Sequence, residues 1–141
     1  MTATTGTIVE LNEPFQRALE RTRDALKAEG FGIITEVDIR ATFREKIDRD
    51  FRPYVILGAC NPALAFSALS ADPNVGLLLP CNVTVEAGPD EGSVVRLVDP
   101  VMLMTGTGLV ASPELERVAV DAQERLARVA GVLTAASRTA C

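Results

Sequence analysis

The chain has 141 residues, 48% of them hydrophobic and 23% charged, with fourteen Lys+Arg against nineteen Asp+Glu and a net charge of −5. That length gives one domain with a core large enough to fold without staples, and the apolar fraction excludes a disordered chain. His is absent, which excludes a Ser-His-Asp triad, a Cys-His dyad and zinc sites built on imidazole.

The run Thr-Ile-Val-Glu-Leu within Gly6–Leu11 predicts a first strand. Phe15, Ala18, Leu19, Thr22, Ala25 and Leu26 then repeat on a 3.6-residue period and predict an amphipathic helix, capped by Asn12 or Glu13 and ended by Gly30. Phe31–Val37 reads as the second strand, and Ile39–Ile47 as a short helix with Phe43 and Ile47 facing inward. Pro53–Cys60 is almost continuously apolar, as a central strand is. Asn61-Pro62 matches a helix N-cap followed by a first-turn proline. Leu64, Ala65, Ala68 and Leu69 supply that helix's expected buried face.

After the turn cluster Asp72-Pro73-Asn74, a strand is expected over Val75–Glu86, interrupted by Pro80. Gly88–Gly92 reads as a hairpin loop, with Ser93–Val98 returning antiparallel. Val101–Val110, holding Gly106 and Gly108, reads as irregular. Ser112-Pro113-Glu114 opens a last helix whose stripe Leu115, Val118, Ala122, Leu126, Val129 and Leu133 runs to about Ala136. The order β-α-β-α-β-α-β-β-α predicts an α+β, two-layer domain over residues 1–136. It has a single mixed sheet with helices packed on one face, a covering second copy on the open face, and a flexible tail at 137–141.

The twelve arginines and two lysines are dispersed among acids, and aromatics make up 4% of the chain. Neither a basic footprint nor a stacking platform for nucleic acid is expected. Met1–Gly6 lacks the charged and apolar blocks of a signal peptide. The uncharged stretch Pro53–Ala71 carries two prolines, Asn61 and serines, which suits a strand and helix rather than a membrane span. A cytoplasmic location follows as the expectation, with no membrane partner and with cysteines present as thiols.

Two similar phrases, Ala59-Cys60-Asn61-Pro62 and Leu79-Pro80-Cys81-Asn82, stand in a segment whose one charged residue is Asp72. Cys60 falls where a strand gives way to a helix start, a place whose unpaired N–H groups and dipole favour a thiolate. If the strand of Cys81 lies beside that of Cys60, the sulfurs become neighbours, and Asn61 and Asn82 offer amides to a ligand or an oxyanion. Each residue also has a purely structural use: buried cysteine behaves as a small hydrophobe, and Asn61 and Pro62 suffice as cap and first turn. Asp38 and Lys46 flank the short second helix as a secondary charged rim, and Met102 and Met104 add thioethers suited to Cu(I). Cys141 carries almost no positional information.

With these phrases in view, the chain resembles the domain of unknown function 302 family. The resemblance rests on Pro53-Tyr-Val-Ile-Leu-Gly-Ala-Cys-Asn-Pro62, on Gly76-Leu-Leu-Leu-Pro-Cys-Asn-Val83 and on Asp99-Pro100. Upstream, Asp38-Ile39, Ala41-Thr42 and Lys46 also match, and Phe43 stands where many members have Leu. The resemblance covers roughly residues 31–100. It implies a small α+β protein, often dimeric, in a family without a settled activity. It marks Cys60, Asn61, Pro62, Pro80, Cys81 and Asn82 as a site without naming a ligand or cofactor. The leading expectation is a non-catalytic ligand-binding or sensing module acting as a homodimer at the Cys60/Cys81 junction. The alternatives are a thiol-redox or soft-metal protein using those two cysteines, and a structural dimer acting through a protein partner.

Overall fold

The structure, a computed structural model, describes residues 2–3, 5–108 and 112–139. In chain order they form β1 (Thr2–Ala3), β2 (Gly6–Leu11), α1 (Phe15–Ala28), β3 (Gly32–Asp38), α2 (Ile39–Ile47), β4 (Tyr54–Cys60) and α3 (Pro62–Ala71). A 3-10 turn at Pro73–Leu78 leads into β5 (Cys81–Ala87). Then come β6 (Ser93–Val98), α4 (Pro100–Thr107) and α5 (Pro113–Thr139). The sheet order is β1-β2-β6-β5-β4-β3.

The architecture is α+β around one sheet, with a correction to the strand directions. Every described strand pair is antiparallel, whereas helical connections had led to the expectation of a mixed sheet. The reason lies in where those helices put the chain. Asp38, the last residue of β3, pairs with Val55 near the start of β4. Ala59 near the end of β4 pairs with Cys81, the first residue of β5. Both excursions return to the sheet end they left, and a neighbour re-entered from the same end must run antiparallel. Helix α1 joins β2 and β3, which stand four places apart in the sheet and do not pair.

Alternation along the strands builds the core. Val9, Leu11, Val55, Leu57, Ala59, Val83, Val85, Val95 and Leu97 point to one face. There they meet Ala18, Leu19, Ala25 and Leu26 of α1 and Leu126, Val129, Ala130 and Leu133 of α5. Leu26, Leu57, Leu97 and Leu133 are fully buried, each contributing about 1.5–3 kcal/mol of hydrophobic stabilisation. A second, smaller cluster gathers Ala68 of α3, Val75, Met104 of α4, and Leu115 and Ala119 of α5.

Several local expectations change. Residues 73–78 form a 3-10 turn rather than strand, because the Asp72 carboxylate accepts from Asn74 N (2.9 Å) and Pro73 occupies the first turn. Residues 100–107 are helical because Asp99 accepts from Val101 N and Met102 N, and Gly108 ends the helix in the left-handed region. Expected irregular residues 109 and 110 lie outside the described set. Helix α1 begins at Phe15 without a side-chain cap, Pro14 holding that position in place of Asn12 or Glu13. Ile47 is 61% exposed and α2 buries no residue, since α2 sits beside β3 and β4 near the sheet edge instead of on its core face. Leu69 is exposed as well, leaving Ala68 as the buried residue of α3. Helix α5 continues to Thr139, and the buried Ser137 Oγ accepts from Asn12 N (3.1 Å). The remaining residues of the expected tail, 140 and 141, are outside the described set.

Candidate functional site

Because β4 and β5 are antiparallel neighbours, the end of one and the start of the other meet at one end of the sheet. Cys81 pairs with Ala59 and Cys60 pairs with Gly32 on the other side. Both cysteines are half-buried thiols, not a disulfide. Both line one cavity of about 40 Å³, closed by Asn61, Leu64, Ala65 and Ala68 of the α3 segment and by Met104, Val118 and Ala122 from α4 and α5. The cavity lies at the seam between the two hydrophobic clusters, since Phe31 and Ala59 belong to the larger and Ala68, Met104 and Ala119 to the smaller.

Burial, and then the neighbouring Cys60, pushes the Cys81 thiol up to about 11. At neutral pH Cys81 is therefore a protonated, weakly nucleophilic thiol. Asn61 sits at the cavity wall with its Oδ1 accepting from Leu64 N at 3.3 Å, the N-cap of α3. Its amide nitrogen lies against Gly30, where a methyl group would come within 2.9 Å of Nδ2. Gly30 has a positive φ of 85°, so both the backbone and the space favour glycine there. Arg125 anchors the same corner by donating from Nη1 to the Glu29 carbonyl at 2.8 Å.

The remaining motif residues go elsewhere. Pro62 occupies the exposed first turn of α3. Asn82 pairs with Gly58, on the sheet face opposite Cys81. Pro80 also approaches Gly58 from that side, where a methyl group would lie 2.0 Å from Thr35 Oγ1 and 2.7 Å from Pro80 Cγ. Asp38 caps α2 by accepting from Ala41 N at 2.9 Å, and both it and Lys46 are exposed and away from the cavity. Met104 lines the cavity while Met102 is exposed, because α4 is a helix and residues two apart turn to different sides. Among the described residues no group of three or more His, Cys, Asp or Glu is placed to hold a metal ion. Cys141 is outside the described residues.

A polar cluster on the opposite sheet face is not among the residues the motifs single out. Glu86 is 6% exposed. Its carboxylate accepts from Arg52 Nε at 2.8 Å and from Arg96 Nη1 at 2.7 Å. Burial acts to raise its pKa, but the hydrogen bonds and charges of Arg96 and Arg52 outweigh this and hold it below the ordinary carboxylate value. Arg52 stacks over Phe51 at 4.4 Å, and Phe51 meets Phe43 edge-on at 5.3 Å. The signal was the alternation Thr84-x-Glu86 facing Val94-x-Arg96 across the expected hairpin, which puts acid and base on one face.

The family described as "Domain of unknown function DUF302" matches residues 7–133. The crystal structure of an uncharacterised conserved DUF302 protein from Bacillus stearothermophilus superposes with a TM-score of 0.81 at 28% identity, covering 93% of this chain and 99% of that one. No curated protein matches. No helix among the described residues is long and apolar enough to cross a membrane.

Proposed function

The chain belongs to the DUF302 family, and we propose that it is a non-catalytic ligand-binding module. Its Cys60/Cys81 cavity receives a small apolar group. The observation carrying this reading is that both motif cysteines line one hollow whose other walls are almost entirely apolar. A dry apolar cavity has lost dispersion contacts along its lining, and a matching guest restores them. The seam position matters because α3 buries Ala68 and α4 buries Pro100 and Met104. So lightly anchored a wall yields at smaller cost than a closely packed core. No catalytic residue is assigned.

Xenon pressure with methyl NMR tests the cavity. Saturable shifts are expected at Ala68, Ala122 and Met104 in the full chain, and an Ala68→Leu variant that fills the space loses them. Unchanged methyl signals under xenon overturn the reading.

A specific observation favours soft-metal capture as the second reading. Cys60, Cys81 and the Met104 thioether line the same hollow, a donor set suited to Cu(I). Titration against a chromophoric Cu(I) chelator decides it: Met104→Leu and Cys81→Ser each weaken capture, and no competition with the chelator removes this alternative.

Pairing of two copies is the accompanying proposal. Helices α3 and α4 carry no charged side chain, yet Phe66 and Leu77 are 75% and 88% exposed, with Leu69 and Met102 also open. Uncharged helices with so much apolar surface in water suit an interface. Sedimentation of the wild type and of Phe66→Glu/Leu77→Glu tests it: a dimer that the variant dissociates is expected, and a wild-type monomer overturns it. The same surface also suits a different protein partner, and a monomer that still captures one through these residues would favour that alternative.

A further inference from the structure

A hollow of about 190 Å³ lies on the sheet face opposite Cys81. Its polar lining is Tyr54, Asn82, Thr84 and Arg96, together with Thr5 and Thr7, and no Asp or Glu lines it. We propose that this hollow binds a small oxyanion, a carboxylate or phosphate group, on the Arg96 guanidinium.

Among the described residues, the Tyr54 hydroxyl, the Asn82 amide and the Thr84 hydroxyl make no hydrogen bond. Thr84 Oγ1 is shut off from solvent without a partner, which costs about 1–3 kcal/mol if nothing satisfies it. Arg96 spends Nη1 on Glu86 and keeps its remaining N–H groups for another acceptor. Glu86, clamped also by Arg52, fixes the guanidinium in place, and two arginines against one carboxylate leave one positive charge over. Several unused donors around a fixed cation, with no acid in the wall, select a planar or tetrahedral oxyanion. The volume is below the roughly 300–1,000 Å³ of drug-sized pockets, so the ligand is small. A second copy is a poor occupant, since a two-fold axis here would set one surplus positive cluster against another.

Titration of the full chain with succinate and, separately, inorganic phosphate at fixed ionic strength tests the site, read by NMR. Saturable shifts are expected at Thr84, Asn82 and the Arg96 side chain, and the tighter probe identifies the anion class. Arg96→Gln is expected to weaken binding about tenfold or more, the scale of one charged hydrogen bond. Thr84→Val and Asn82→Ala leave the Glu86 clamp intact and are expected to weaken it as well, so a folding defect in Arg96→Gln does not obscure the result. Ala68→Leu, across the sheet, leaves it unchanged, which separates this site from the apolar cavity. Shifts that are unsaturable and equal for chloride overturn the proposal, as does a solution dimer that covers this face.

Discussion

Cys81 stands directly across the ladder from Ala59, one residue short of Cys60. That single step of register keeps the two thiols from being cross-strand partners, although both line one cavity at the strand ends. It also sets the fate of the adjacent Asn82, which alternation sends to the other face beside Gly58.

Alkylation of Cys81 is expected to be slow at pH 7 and to accelerate toward pH 11, because burial and Cys60 keep the proton on. The folded state holds that proton more tightly than the unfolded chain. Stability is therefore full below roughly pH 8.5 and falls as pH rises toward about 11. A pH series of iodoacetamide labelling in the wild type, read at the Cys81 peptide by mass spectrometry, with urea midpoints at matched pH, checks both. Fast labelling of Cys81 at neutral pH contradicts the burial argument.

Glu86 predicts the opposite limb. Its pKa is lowered in the fold by Arg96 and Arg52. Its contribution is present above the unfolded carboxylate pKa of roughly 4.3 and is lost as pH falls through the folded value. Glu86→Gln is expected to flatten the acid side of the stability curve. Arg96→Ala, which strips one partner from a buried carboxylate, is expected to cost on the order of 2–4 kcal/mol. Chemical denaturation from pH 3 to 7 measures both, and an unchanged acid limb in Glu86→Gln refutes the assignment.

Gly58→Ala is expected to be severely destabilising, by about 3 kcal/mol or more. The new methyl would meet Thr35 Oγ1 at 2.0 Å and Pro80 Cγ at 2.7 Å. Gly106→Ala, in α4, meets nothing within 4 Å and is expected to be neutral or slightly stabilising, through helix propensity. Thermal melts of the two variants side by side suffice, and equal melting temperatures would contradict the packing described for β3–β4.

Asn61→Ala removes the cap on α3 and is expected to cost about 1 kcal/mol. Asn61→Asp keeps the accepting oxygen and is expected to recover most of that loss. If alanine and aspartate are equally harmful, Asn61 has a role other than capping, and the amide facing Gly30 becomes the place to look.

Much of this molecule is written in local pattern. The stripe Ala18-Leu19-Thr22-Ala25-Leu26 and the stripe ending at Leu133 set two core helices, and Asn61-Pro62 and Ser112-Pro113 mark two helix starts. These are decided within a few residues, by periodicity and capping. The 3-10 turn at 73–78 and helix α4 were less legible, because their apolar residues show no single face and their caps, Asp72 and Asp99, also read as turn residues. The β5–β6 hairpin was legible from its Gly-rich loop, and what tertiary structure alone decided was the pairing of strands joined through helices. Re-entry of the chain at the end it had left made every described pair antiparallel and placed Cys81 beside Ala59. The same pairing put Arg52 on Glu86, where Arg96 already sits across the hairpin. Arg52 and Glu86 are 34 residues apart, and no pattern within one segment encodes which distant strands will meet.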